Sequence, residues 1–390
     1  MNKGKYVLNQ IMDFVSSYEF KKCVNRYGSN SRVRNLSCWD QFLALAFGQL
    51  SYQESLRSIT VCLSSQKEKI YHLGFSASIA RTTLAEANEK RNWKIYRDLA
   101  RILIKESKNL YCNDHSFNLE LDGACYAIDS TIIELCLNIF GWAKLKKVRA
   151  AVKLNLQLDL KGNLPAFFDI STAKVADVNF LDLIDYETGA YYIFDRGYVD
   201  VERFFKINDA EAYFVTRAKT GLKLKRLYSN PVKKDTGIHC DQIVKLITKI
   251  SSEKYPSKLR RVKYYDQESK RYFIYLTNNF NIPATTVADL YRHRWQIELF
   301  FKWIKQHLKI KTFWGYSENA VKTQICIAIC TYLIVAIAKK KLNIDRNLYE
   351  ILQILNVTLF LKTPLNTLLS EYELQMTDDL CQEQQRLFDF

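Results

Sequence analysis

Apolar residues recur at helical intervals through the first part of the chain. Trp39, Phe42, Leu43, Ala46, Phe47 and Leu50 keep that spacing behind Ser37, which is placed to cap a helix. Ser51 to Glu54 has the form of a capping box, opening a second helix through Leu56, Ile59 and Leu63. Thr82 to Leu103 repeats the helical interval and is rich in Arg and Lys. Residues 1–118 therefore predict short helices with basic faces. A DNA-binding helical domain, with or without a helix-turn-helix, fits that pattern; so does any small helical bundle.

From Gly123 the period changes to that of strands. Cys125 to Cys136 is a β-branched apolar run that contains Asp129. Val152, Leu154, Leu156, Leu158 and Leu160 alternate with Lys153, Asn155, Gln157 and Asp159, which predicts a half-buried strand. Gly162-Asn163 is a hairpin turn into Pro165 to Ile170. Val175 to Ile184 predicts a helix, Tyr191 to Phe194 a buried strand ending at Asp195, Val201 to Ile207 a helix and Tyr213 to Thr216 a strand. Three antiparallel-type strands followed by helix, strand, helix and strand is the order of an RNase H-like α/β fold, a mixed sheet flanked by helices. Further on, Arg261 to Tyr265 and Arg271 to Thr277 alternate as two hairpin strands, and Ala288 to Leu308 reads as one amphipathic helix.

Charge sharpens the picture. The 390-residue chain is 48% hydrophobic and 25% charged, ordinary for a globular protein, yet its net charge is +16. Residues 217–271 hold 16 Lys or Arg against 5 Asp or Glu, so most of the excess sits in one short stretch, with Tyr264 and Tyr265 inside it and Tyr272, Phe273 and Tyr275 just after it. Basic and aromatic residues in alternation suit a phosphate backbone and base faces, making nucleic acid the expected partner. Ile325 to Ala338 is the most apolar stretch, but at 14 residues it is short of a membrane span and predicts a buried helix, with no membrane partner. Ten cysteines show no C-x-x-C pair, which points to reduced thiols in a cytoplasmic protein; Cys326 and Cys330, one turn apart, read as core.

The candidate chemistry lies in three places. On the helix from Ala288, Tyr291, Arg294, Glu298 and Lys305 fall on one narrow stripe at about 100° per residue. The apolar Leu290, Ile297, Phe300, Phe301, Ile304 and Leu308 share another arc. A carboxylate flanked by cations can hold metal and phosphate together; an exposed face of paired charges has the same spacing. Asp129 lies on the first apolar strand, and Asp195 stands where an apolar strand ends. In an RNase H-like sheet those strands are neighbours, and two carboxylates brought together call for a cation between them.

These blocks resemble those of DDE transposases of bacterial insertion sequences. The subgroup resembled is the insertion-sequence-four family, with its Tyr, two residues, Arg, three residues, Glu, six residues, Lys signature and an inserted β domain; Tyr291, Arg294, Glu298 and Lys305 fit it at every position. The resemblance covers roughly Tyr126 to Lys305. It implies that Asp129, Asp195 and Glu298 are catalytic and bind two Mg²⁺ ions, with Mn²⁺ as a substitute, and that Tyr291, Arg294 and Lys305 grip DNA phosphates. It also implies an aromatic in the inserted domain that holds a flipped base. No Trp lies between Arg217 and Pro283, which leaves Tyr272 or Phe273 for that role, while Trp295 matches an aromatic position of the signature.

The expected domain order is a helical DNA-binding domain over residues 1–118, the first part of the RNase H-like core over 119–218, a basic β-rich insertion over 219–283, the helix carrying the catalytic Glu over 284–312, and a helical C-terminal region over 313–390. The activity implied is metal-dependent cleavage at transposon ends and strand transfer by a cut-and-paste route through a DNA hairpin. The expected partners are the terminal inverted repeats and target DNA, bound by a homodimer in the bacterial cytoplasm and associated with the nucleoid. The rival readings are a catalytically silent transposase-derived DNA-binding protein and a generic RNase H-like nuclease.

Overall fold

The computed structural model describes residues 4–370 except 32, 34, 113–118, 120, 147–148 and 311. Residues 371–390 of the expected C-terminal region and 113–118 at the expected end of the first segment lie outside the described residues.

Six helices come first: α1 (Val7–Met12), α2 (Ser17–Arg26), α3 (Cys38–Leu50), α4 (Leu56–Ser64), α5 (Arg81–Lys90) and α6 (Lys94–Tyr111). Ser37 caps α3 as its sequence predicts, with the Asp40 carboxylate accepting the Ser37 N–H at 2.8 Å in return. The second capping box is not at Ser51. Tyr52 takes a left-handed φ of 51°, so Ser51 to Glu54 reverse the chain instead of starting a helix, and Ser55 with Ser58 caps α4 one turn later. The cause is local: the Ser51 hydroxyl donates back to the Phe47 carbonyl at 2.7 Å and is spent on ending α3.

The sheet begins with β1 (Cys125–Leu135), β2 (Lys144–Lys146), β3 (Arg149–Asp159), β4 (Leu164–Thr172) and β5 (Tyr191–Phe194). After α7 (Val201–Asp209) come β6 (Tyr213–Arg217), β7 (Leu224–Asn230), β8 (Ile238–Leu246), α8 (Lys249–Lys254), β9 (Leu259–Asp266) and β10 (Arg271–Thr277). β4, β3 and β1 are antiparallel neighbours, and β1, β5 and β6 run parallel. This is the RNase H-like order that the sequence predicts. The basic β-rich stretch continues the same sheet: β10 pairs with β6, and β9, β8 and β7 follow outward.

Two local expectations change. The polar face of β3 is buried, because β3 lies between β1 and β4 and the segment after β4 folds over it. There Lys153 donates to the Val175 carbonyl and pairs with Asp177 at 2.6 Å, and Asn155 donates to the Ser171 hydroxyl. That covering segment, expected as an α-helix over Val175 to Ile184, is a 3₁₀ turn over Asp177–Leu183. Asp177 is tied down by Lys153 and Ser130 at its start, which favours the tighter winding.

The remaining helices are α9 (Ala284–His293), α10 (Trp295–His307), α11 (Glu318–Lys341), α12 (Leu348–Thr358) and α13 (Leu365–Leu369). α11 contains the apolar stretch. It is long and apolar enough to cross a membrane, but 94% of its most apolar window is buried inside the protein, where it packs on α3, α5, α6 and α12. The first and last helical segments thus share one core, which also covers one face of the sheet. α7 covers part of the opposite face with a smaller core of Phe194, Phe204, Phe214 and Tyr192.

Candidate active site

Strand periodicity places the acidic residues. In β1, Cys125 and Ala127 pack into the large core while Tyr126 and Ile128 pack into the small one. Asp129, next in the alternation, belongs to the large-core face. The same count along β5 (Tyr191 and Ile193 against Tyr192 and Phe194) puts Asp195 on that face, and along β6 it puts Arg217 there. Register then aligns them. Ile128 is opposite Phe194 and Phe194 is opposite Thr216. Asp129, Asp195 and Arg217 each stand one residue beyond, side by side where the parallel strands end.

The helices above this row supply the rest. The expected single helix is two, α9 and α10, joined at Arg294. The Arg294 N–H bonds to Tyr291 and the Ile297 N–H to Arg294, i→i−3 bonds that tighten one turn. Leu290, Ile297, Phe300, Phe301, Ile304 and Leu308 enter the large core as their spacing predicts. The polar stripe faces the strand ends. Arg294 donates through Nη1 to Asp129 Oδ2 at 3.1 Å and through Nη2 to Glu298 Oε1, bridging the two carboxylates. Tyr291 donates its hydroxyl to Asp195 Oδ1 at 3.1 Å, and Arg217 reaches the same oxygen at 3.0 Å. Lys305 donates to the Thr131 hydroxyl and, at 3.1 Å, to the Ile132 carbonyl, fastening α10 to β1 beyond Asp129.

The electrostatics are those of crowded anions held by cations. Burial is the main force that pushes Asp129 up to about 6; Glu298 and Asp195 add to it, while the Ser130 N–H and Arg294 oppose it. Burial acts on Asp195 in the same sense, but the Arg196 N–H, Arg217 and Tyr291 outweigh it and hold the carboxyl below the usual range. Burial pushes the Tyr291 hydroxyl up to about 12, so it stays a donor. For the Mg²⁺ expected from the sequence, the donor chemistry fits: the side chains that would bind it offer carboxylate oxygens only. Among the described residues, however, no three His, Cys, Asp or Glu side chains converge tightly enough to hold one ion. The Arg294 guanidinium lies between two of the intended ligands.

Beside the carboxylates is a cavity of about 230 Å³ whose lining includes Phe273, Tyr275, Tyr291, Trp295, Arg217 and Arg294. Of the expected stacking residues, Phe273 and Trp295 are there. Tyr272 is not. It lies on the other face of β10 and packs its ring against Tyr265 and His239, with Lys263 over it. Sequence reasoning missed Arg217. The signal was present: an apolar strand ending in a charged residue, as Tyr191 to Phe194 ends in Asp195. It also missed Tyr198, a buried hydroxyl beside Ser130 that burial, then Asp129 and Asp177, push well above the usual phenol range.

Comparison with known proteins bears on this arrangement. Residues 121–334 match the family model described as Transposase DDE domain, and residues 3–76 match a domain of unknown function. The protein y4zB of Sinorhizobium fredii, described as a transposase, is 36% identical over 66% of this chain and 71% of its own length. A protein described as the transposase of element IS5377 from Geobacillus stearothermophilus is 30% identical over 53% of this chain and 54% of its own length. One described likewise for element IS4SA from a Synechocystis strain is 26% identical over 65% and 70%. Among solved structures, the piggyBac transposase in a synaptic complex with hairpin DNA aligns over 92% of this chain and 81% of its own, with a TM-score of 0.46 and 10% identity. The family match spans more than half of the chain, from the strand that carries Asp129 past the helix that carries Glu298, and the chain belongs to the DDE transposase domain family of bacterial insertion sequences.

Proposed function

We propose that this transposase cleaves its own element's ends with Asp129, Asp195 and Glu298 as catalytic carboxylates, and joins them to target DNA by a cut-and-paste route through a hairpin. The observation that carries the reading is the alignment of Asp129 with Asp195 on adjacent parallel strands, beneath Arg294 at the joint of α9 and α10 and Glu298 of α10. The four-residue signature from Tyr291 to Lys305 supports membership of the insertion-sequence-four subgroup. The three carboxylates would hold two Mg²⁺ ions, or Mn²⁺ in their place. Bound there, such a pair would supply activation of the attacking oxygen and charge stabilisation of the leaving one at phosphorus.

The chain's own side chains do the positioning. Arg294 and Arg217 present guanidinium groups where a scissile phosphate would lie, and a guanidinium fork matches two phosphate oxygens. The Tyr291 hydroxyl, protonated at any working pH, can donate to a third. The aromatic cavity beside them suits a base turned out of the duplex, with Phe273 and Trp295 as stacking faces. The basic strands β7 to β10, continuing the sheet, would carry the flanking duplex. The DNA partners are the terminal inverted repeats and the target, bound by a homodimer.

The test uses the full chain with duplexes that carry the ends of its own element. Mg²⁺-dependent nicking and strand transfer are expected from the native protein, with both lost and end binding kept in Asp129→Asn, Asp195→Asn and Glu298→Gln. Retention of Mg²⁺-dependent cleavage by any one of the three overturns the assignment. DNA binding by the native protein without cleavage favours the catalytically silent reading.

A further inference from the structure

We infer that Arg217 and Arg294 form an internal counter-charge that keeps the acidic site closed to divalent metal until DNA phosphates draw the two guanidiniums away, so that DNA and metal load cooperatively. The inference rests on the proposed role of the three carboxylates.

Two carboxylates at the strand ends and one on α10 are held by two guanidiniums: Arg294 is bonded to Asp129 and Glu298, and Arg217 to Asp195. The cluster is therefore nearly neutral with no ion bound. Arg294 does more than neutralise. Its fork inserts between Asp129 and Glu298, and among the described residues no three acidic or metal-binding side chains converge on one point. For Asp129 and Glu298 to share an ion, that guanidinium has to leave, because it lies between them and because two cations at such distances repel.

The structure also shows where the arginines can go. Both guanidiniums lie near the ring of Tyr291, Arg217 at 5.6 Å and Arg294 at 5.8 Å from its centre, and both line the cavity next to the carboxylates. Each has its Nε buried without a hydrogen-bond partner, so each has donor capacity left to spend. An incoming phosphate at the cavity mouth would offer both forks oxygens. A move of one side-chain length takes the cations from carboxylate to phosphate without unfolding either helix. The i→i−3 turn at Arg294 places this residue at the joint between α9 and α10, where a small change in backbone angle swings its side chain. Arg217 thus becomes a positioning residue, set by register opposite Asp195, that the sequence motif does not include.

The coupling is reciprocal: if phosphate binding helps metal to enter, metal helps DNA to bind by the same factor. The test measures binding. Mn²⁺ is titrated into the full-length protein and free Mn²⁺ is followed by electron paramagnetic resonance, alone and with a short mixed-sequence DNA duplex. The native protein should bind Mn²⁺ at least about tenfold more tightly with the duplex than without it. Arg217→Gln/Arg294→Gln should bind Mn²⁺ tightly without DNA and gain little when DNA is added. Arg294→Lys, which keeps the charge but cannot fork between two carboxylates, should lie between them and guards against a misfolded double variant. Equal Mn²⁺ affinity in native and double-variant proteins without DNA overturns the inference, whether both are tight or both weak. Asp129→Asn in the double-variant background separates the two readings. If tight Mn²⁺ binding survives that change, the carboxylate assignment itself fails. If it is lost while native and double-variant affinities are equal, only the arginine device fails.

Discussion

Arg260 offers the sharpest test of how the outer strands are fixed to the catalytic helices. It lies on β9 and reaches Asp241, on the neighbouring β8 and diagonal to it in the register, and both side chains are nearly sealed, at 5% and 8% exposure. The guanidinium donates to both Asp241 oxygens at 2.8 Å, and to the carbonyls of Ile282 at 2.6 Å and Asn279 at 3.4 Å. Asn279 and Ile282 precede α9, so one side chain ties two strands to the start of the helix that carries Tyr291. Asp241 has one further hydrogen bond, from Asn230. Arg260→Met would leave a buried carboxylate with that single donor and two backbone carbonyls without theirs. Breaking a buried pair in this way costs about 3–5 kcal/mol. Replacing both partners, as Arg260→Met/Asp241→Leu, removes the stranded charge, and most of that loss should return even though the hydrogen bonds of both side chains are gone.

The assay is urea unfolding of the full chain followed by far-UV circular dichroism, with hydrogen exchange over 279–293 as the local probe. The single variant should unfold at clearly lower urea with faster exchange at the start of α9, and the double variant should recover the midpoint. A single variant within about 1 kcal/mol of the native protein, or a double variant no better than the single, would refute the view that this contact is a buried ion pair whose cost lies in stranding one member.

Three further outcomes are expected from the same physics. In metal-free buffer Asp129→Asn should stabilise the protein. A carboxyl raised from 3.8 to about 6 in the fold corresponds to about 3 kcal/mol of lost stability above pH 6, absent below pH 4 and growing between, so the variant's advantage should appear over that window; a pH-independent difference contradicts it. Phe204→Ala removes a fully buried ring stacked 4.3 Å from Phe214 and should cost about 3–5 kcal/mol by urea titration; a loss near 1 would mean that α7 is not seated on the sheet as described. Gly237→Ala should cost about 1–3 kcal/mol, since its φ is +77° and an added Cβ would lie 3.0 Å from the Tyr265 carbonyl, and an unchanged melting temperature would contradict that backbone.

Much of this was legible in the chain because two periods are hard to confuse. Cys125 to Cys136 and Tyr191 to Phe194 read as strands, the first containing Asp129 and the second ending at Asp195. The helical interval from Leu290 to Leu308 separated the core face from the polar stripe. Where the reading slipped, a neighbour in space decided. Lys153, Asn155 and Gln157 looked solvent-facing by alternation, yet Asp177 and Val175 from the segment after β4 satisfy Lys153, and Ser171 on β4 satisfies Asn155. The Ser51 to Glu54 box had the right letters, but Tyr52 spends them on a turn. The strands after Arg217 were readable as strands, while their place as the continuation of the main sheet depends on β10 pairing with β6, which no local pattern encodes.

Arg217 shows most clearly why a site is harder to read than a fold. A signature such as Tyr291 to Lys305 is visible because its members share one helix, so fixed spacing implies a shared face. Arg217 and Asp195 are brought together by strand register, and their separation in sequence is set by whatever helix and loop lie between β5 and β6. Once the parallel pairing is granted, the inference is short: Phe194 faces Thr216, so the residues that come after them face each other. The same step pairs Asp129 with Asp195. A carboxylate row across parallel strand ends therefore predicts that the next strand of the row ends in a cation, because the local field of two neighbouring acids favours it. In this chain that cation is present and bonded to Asp195.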